Sequence, residues 1–279
     1  MLAPEFSCLR TTELSTDLQI QYLELFQAVF RTPKPEGLFE RQFLPGPEEA
    51  GYHGLMLIEG RLNAAYSAIP LSFIFENKTI RAALVVDALV HPDFQGRSLL
   101  RKVLDPLYSR MKVEGFEFLY GMPNTRFQPI LTRTLGWRDL GQMNWFVLFP
   151  GGPVPHWIFN QAIYRSFQEA FVPYRFLSQQ GKQTDTLRYW ESKTTIPGCS
   201  ILLDWNTRNP HHAHATLSAL KKPGLFIFPA LGKSSGGLIL PHWIRGKRTF
   251  VAAYPLSDLG KMILESEQLW LTLADFDVG

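Results

Sequence analysis

Between Ala83 and Leu104 the chain runs ALVVDALVHPDFQGRSLLRKVL, passing from an apolar strand through His91-Pro92 and a Gln95-Gly96-Arg97 turn into residues at helical spacing. Two kinds of chemistry are latent in this stretch. A strand that turns into a helix presents free N–H donors at the helix N-terminus. The aligned peptide dipoles favour a bound anion there, and a glycine lets the backbone approach it. Arg97 adds a positive charge at the turn, and Ser98 brings a hydroxyl that donates to a phosphate or caps the helix. Asp87 interrupts the apolar strand Ala83 to Val90, where an unpaired buried carboxylate is costly, so it is paired, solvated or used as a base. Tyr120 ends the next apolar run, either as a phenol able to give up a proton or as a core aromatic in the series Phe116, Phe118, Tyr120.

The elements that must position these groups follow from periodicity. Ile20, Leu23, Phe26 and Phe30 predict a helix over Asp17 to Phe30, capped by Thr16 or Asp17. Thr32 to Gly51 carries Pro33, Pro35, Pro45 and Pro47 and is loop-rich, with a short helix around Leu38 to Phe43. Apolar runs at Gly54 to Glu59, Ala64 to Phe75 and Ile80 to Leu89 predict an antiparallel meander, its turns at Glu59-Gly60 and Glu76-Asn77-Lys78. Leu99, Leu100, Val103, Leu104, Leu107 and Met111 predict an amphipathic helix from about Gly96 to Glu114, strained at Pro106. Then come a strand at Phe116 to Gly121, a helix at Thr125 to Leu135 closed by Gly136, and a strand at Met143 to Phe149. The alternation predicts an α/β fold.

The 279 residues, 46% hydrophobic and 19% charged, exclude a disordered or low-complexity chain and suit one large domain or two ordinary ones. PGGPVP at Pro150 to Pro155 marks the boundary, giving domains at 1–150 and 151–279. In the second half, helices are expected at His156 to Phe171 and His211 to Lys221. Strands are expected at Cys199 to Asp204, Leu225 to Pro229, Thr249 to Tyr254 and Leu269 to Ala274. Gly232 to Gly237 serves as a hairpin connection. A net charge of +3 with scattered basic groups argues against a nucleic-acid binder. Cys8 and Cys199 form no metal-binding pattern, and His211, His212 and His214 have no acidic or cysteine partner at ligand spacing, so no metal is expected. With no basic start and apolar core in MLAPEFSCLR, and no run of roughly 18 apolar residues, the expectation is a cytoplasmic protein without a membrane span.

The Ala83 to Leu104 stretch resembles motif A of the GCN5-related N-acetyltransferases (GNAT), a strand followed by V-x-P-x-x-(Q/R)-G-x-G-x-(G/A) and a helix. Val90, Pro92, Gln95 and Gly96 match, while Ser98 and Leu100 stand where the pattern has its later small residues. Phe116 to Trp137 resembles motif B, with Asn124 and Leu135-Gly136-Trp137 in order. The resemblance implies a mixed, mostly antiparallel central sheet flanked by helices, followed by a second, smaller α/β half that either completes the acceptor cleft or is a degenerate copy of the same fold. It implies acetyl-CoA, or another acyl-CoA, beside Leu89 and Val90, with its pyrophosphate on the amides of Gln95, Gly96, Arg97, Ser98, Leu99 and Leu100 and with Asn124 nearby. The implied reaction moves an acyl group to an amine on a small molecule or amino sugar, with Asp87 as base. Thr132 occupies the place of the tyrosine acid many members use, leaving Tyr120 as the nearest substitute. Two other readings stay open. One is a tandem aminoacyltransferase of the peptidoglycan-bridge type; the other is a non-catalytic module of the same fold. Asp275 and Asp277 could read an acceptor's amines or be a polar chain end. Arg188-Tyr189-Trp190 could line a groove or belong to an ordinary helix.

Overall fold

The computed structural model describes residues 3–44, 50–148, 163–165, 182–183, 187–191, 199–205, 225–231, 238–239, 250–266, 269 and 271. Chain contacts group it into two units, one of residues 1–71, 81–120 and 255–261, the other of 72–80, 121–254 and 262–279. Residues 149–162, which include the expected boundary, lie outside the described residues.

In the first unit the strands β1 (Glu5–Arg10), β2 (Tyr52–Ile58), β3 (Arg61–Phe75), β4 (Lys78–Val90) and β5 (Phe116–Gly121) lie in that order. β1 and β2 are antiparallel, as are β2 and β3, whereas β4 and β5 are parallel. The meander is as expected. Its second turn, Glu76-Asn77, takes φ of 47° and 61°, the left-handed pair that a two-residue hairpin of matching twist requires.

Helix α1 (Thr16–Phe30) has its N-cap one residue before the expected pair: the Ser15 hydroxyl accepts from the Leu18 amide at 3.2 Å. Helix α2 (Leu38–Phe43) falls on the expected residues. Tyr22 of α1 meets Phe39 and Phe43 of α2 edge-on, with ring centroids 5.3 and 6.0 Å apart, so these helices share one aromatic core.

Helix α3 (Leu100–Val113) packs on β1 and β2, burying Val103, Leu104, Leu107 and Met111 at about 1.5–3 kcal/mol per side chain. It starts four residues later than its periodicity predicts. Gly96 at φ 75° and Ser98 at φ 55° keep the backbone left-handed, so the residues before Leu100 form a turn. The helix expected over Thr125 to Leu135 is present from residue 128 on, but it is irregular, with a turn at its start and a π-helical end. Asn124 Oδ1 accepts the amides of Arg126 and Phe127 in a turn. Ile130–Thr134 then forms a π-helical segment, closed by the Leu135 amide on the Ile130 carbonyl.

In the second unit β6 (Arg138–Leu148) starts earlier than expected. The strands β7 (Ile163–Arg165), β8 (Lys182–Gln183), β9 (Leu187–Glu191), β10 (Cys199–Trp205), β11 (Leu225–Leu231), β12 (Leu238–Ile239) and β13 (Phe250–Pro255) follow along the chain. β13, β6, β11, β10, β9 and β8 lie in that order, antiparallel except for the β10–β11 pair. Arg188, Tyr189 and Trp190 therefore sit on a strand rather than a helix, paired to β10. The helices expected at 156–171 and 211–221, the histidines 211, 212 and 214, the 232–237 connection and the last two aspartates lie outside the described residues. Helix α4 (Asp258–Glu265) follows β13. Mixed α/β architecture with a mostly antiparallel sheet flanked by helices is thus what the chain adopts.

Candidate active site

β4 carries Asp87, the carboxylate that stands out in the sequence. Its described pairing with β5 ends at Leu84↔Tyr120, while β4 itself runs on to Val90. In that free stretch Asp87 takes φ 50°, a left-handed residue inside a strand, which re-aims a side chain out of the sheet's alternation. Holding a non-glycine residue there costs about 1 kcal/mol or more, so its surroundings must fix it.

They do so through two donors on one oxygen. Lys34 Nζ lies 2.5 Å from Asp87 Oδ2, and the Tyr22 hydroxyl donates to the same oxygen at 2.9 Å. Both donors are nearly inaccessible: the Lys34 side chain is 1% exposed and Tyr22 0%, against 12% for the Asp87 side chain. The Lys34 ammonium also stands over the rings of Phe26 and Phe43, at 4.6 and 5.3 Å. Behind Tyr22 the polar contacts continue inward: Tyr22 Oη to Ser67 Oγ at 2.8 Å, Ser67 Oγ to His53 Nδ1 at 2.9 Å, His53 Nε2 to Thr11 Oγ1 at 2.9 Å. Burial and the nearby Lys34 charge hold His53 down to about 3, so its ring is neutral. Burial, then the Asp87 charge, push the Tyr22 phenol well above its ordinary range, and it remains a donor.

Beyond β4 comes the turn. The Gln95 side chain reaches back to the Val90 carbonyl at 3.0 Å, and the Gln95 amide donates to Pro92. Among the described residues no acceptor takes the amides of Gly96, Arg97 or Ser98. These three residues are exposed, and a Cβ placed on Gly96 meets nothing within 4 Å. Leu99 is the N-cap of α3 and supplies no side-chain cap. The turn therefore presents unsatisfied donors and an uncapped helix N-terminus to open space, the donor set that holds an anion such as a pyrophosphate. Arg97 lies over the Phe94 ring at 5.2 Å.

The remaining residues singled out from sequence fall as follows. Leu89 is buried in the core; Val90, Leu99 and Leu100 are half-buried at the edge of the turn. Tyr120 is wholly buried beside the last β4–β5 pair. Asn124 spends its side-chain oxygen on its own turn, and Thr132 donates its hydroxyl to the Gln128 carbonyl. The structure thus joins Asp87 to the turn on one continuous strand-turn-helix segment. Tyr22 and Lys34 escape a reading of the sequence, because Tyr22 looks like any aromatic at helical spacing and Lys34 like a solvated charge between two prolines.

The comparisons with known proteins agree with this layout. Residues 11–139 match the family model described as an acetyltransferase (GNAT) domain. No curated protein matches the sequence. Among solved structures, a conserved protein of Enterococcus faecalis V583 is similar at 13% identity and TM-score 0.62, over 92% of this chain and 73% of that one. A GCN5-related N-acetyltransferase of Anabaena variabilis is similar at 9% identity and TM-score 0.61, over 92% and 74%. One from Kribbella flavida is similar at 11% and 0.61, over 90% and 72%. At such identities the likeness speaks for the fold. With the strand-turn-helix segment of Val90 to Val113 inside the matched residues, residues 11–139 of this chain form an acetyltransferase (GNAT) domain.

Proposed function

We propose that this protein is an acyl-CoA-dependent N-acyltransferase that moves an acyl group, acetyl by preference, from CoA to an amine on a small molecule or amino sugar. The observation that carries this reading is the uncapped turn at Gly96 to Leu99 lying directly downstream of a left-handed Asp87. In this reading the amides of Gly96, Arg97 and Ser98 and the α3 dipole hold the CoA pyrophosphate, and the acyl chain lies along the free stretch of β4. Asp87 accepts the proton of the acceptor's ammonium. The amine nitrogen then attacks the thioester carbon, the nitrogen gives up its second proton to solvent, the carbon–sulfur bond breaks, and the departing thiolate takes a proton from solvent. Tyr120 is not called on, because it is wholly buried.

Calorimetric titration of the purified protein with acetyl-CoA and, separately, with CoA tests the binding half. Micromolar binding that disappears in Gly96→Trp is the expected result. No binding by a folded sample overturns the proposal. Thiol release from acetyl-CoA with a panel of amino sugars and polyamines tests the chemistry, and Asp87→Asn is expected to keep acetyl-CoA binding while losing most turnover.

A further inference from the structure

The contacts around Asp87 fix not only which atoms meet but which way each proton points. An ionised carboxylate only accepts, so the Tyr22 hydroxyl spends its one proton on Asp87 Oδ2. Ser67 must then donate to Tyr22, which leaves the Ser67 oxygen to accept from His53 Nδ1–H. A neutral imidazole carries one proton, so His53 Nε2 accepts, and its donor is Thr11. The Thr11 hydroxyl also stands within donating distance of the Gly51 carbonyl, at 3.1 Å, but that carbonyl already receives the Thr11 amide at 2.8 Å, so turning the hydroxyl proton to His53 leaves no group unsatisfied. The chain Thr11, His53, Ser67, Tyr22 therefore runs in one direction and ends on the carboxylate, with every member buried.

We infer that Tyr22 and Lys34 are positioning residues for Asp87, the tip of a directed hydrogen-bond chain that occupies Oδ2 and leaves Oδ1 to meet the acceptor amine. Both donors fall on Oδ2, and among the described residues none falls on Oδ1. The charged and titratable groups facing the carboxylate come from three elements: Tyr22 from α1, Lys34 from the segment between α1 and α2, and His53 behind them from β2. Lys34 has a second effect. It ties the proline-flanked segment to β4, so the same contact that orients the carboxylate holds that segment in place. A carboxylate held by two donors at a left-handed residue does not rotate freely, which is how preorganised proton acceptors gain rate. This inference rests on Asp87 being the base.

Two measurements test it on the full chain. The first needs no acceptor: in protein labelled with 15N-histidine, long-range proton–nitrogen correlation identifies the His53 tautomer, assigned by its loss in His53→Asn. The Nδ1–H form is expected; the Nε2–H form breaks the directed chain and overturns the inference. The second splits turnover from binding with acetyl-CoA and the fastest amine of the panel. Tyr22→Phe, which keeps the ring packed, is expected to lower kcat about tenfold with acetyl-CoA Kd within about twofold. Lys34→Met is expected to lose more than Lys34→Arg, which restores the charge. Unchanged kcat in a folded Tyr22→Phe protein overturns the inference, whereas unchanged kcat in Asp87→Asn overturns the assignment of the base itself, so the two failures are distinct.

Discussion

The backbone carbonyl of Val103 in α3 lies 2.4 Å from where a Cβ on Gly54 of β2 would stand, with Leu107 Cβ at 3.3 Å. Helix and sheet touch there backbone to backbone, and only glycine permits it. Gly54→Ala is expected to cost about 1–3 kcal/mol in urea denaturation, because neither a helix backbone nor a strand backbone yields cheaply. It should also weaken acetyl-CoA binding, since the turn at Gly96 hangs from the same helix. A loss under about 0.5 kcal/mol would show that α3 sits less tightly than described.

Ser98 holds φ 55°, a conformation that glycine adopts without strain. Relief of that strain exceeds the extra freedom glycine brings to the unfolded chain, so Ser98→Gly is expected to add about 0.5 kcal/mol of stability. Thermal denaturation of the free protein checks this, and a lower melting temperature contradicts it.

His53 gives the fold a dependence on acid. Its ordinary value is 6.5 and burial holds it down to about 3, so between these values the unfolded chain binds a proton that the folded chain refuses. Stability is thus full above about pH 6.5 and falls as pH drops toward 3, by up to ~1.4 kcal/mol per pH unit. From pH 6.5 to 5 the expected loss is about 2 kcal/mol. His53→Asn should be less stable at pH 7 yet lose less over that range; an unchanged slope would assign the acid sensitivity elsewhere. Glu13, held down to about 2 by its hydrogen bonds with Arg110, contributes in a lower window, lost as pH falls from about 4.5.

Burial pushes the Cys8 thiol up to about 12, with the Arg110 charge opposing only in part. Iodoacetamide at pH 8 should leave Cys8 unmodified in the folded protein and alkylate it in urea. Peptide mapping by mass spectrometry separates it from Cys199. Rapid labelling of the half-buried Cys8 without denaturant would contradict the raised thiol.

How much of this was legible beforehand depended on whether the cause was local. The hairpin at Glu76-Asn77 and the helix at Leu38–Phe43 are set by neighbouring residues, and both fall where the pattern puts them. Asp87 stood out because a carboxylate on an apolar strand demands an explanation. Its partners did not, since α1 and the following loop bring Tyr22 and Lys34 to it only when packed against β2 and β4. The helix expected at Thr125 to Leu135 forms, but shorter and partly π-helical, for local reasons that periodicity does not weigh. Asn124 takes up two amides at its start, and the widened bond from Leu135 to Ile130 resets its phase.

One contact joins distant parts of the sequence within a single unit. The Glu117 carbonyl of β5 accepts from the amides of Leu256 and Ser257, and a Cβ on Gly260 would stand 1.8 Å from it. Ser257 also donates its hydroxyl to the Glu117 carboxylate, across 140 residues of chain. On the ribosome, at roughly 5–20 residues per second, β5 emerges about 7 to 30 seconds before its strap. Throughout that interval the segment bearing β4 and β5 must persist without the two amides that close on the Glu117 carbonyl. A fragment ending at residue 150 would stay in that state for good, so nascent-chain protection from proteolysis should rise only once residue 261 has left the exit tunnel.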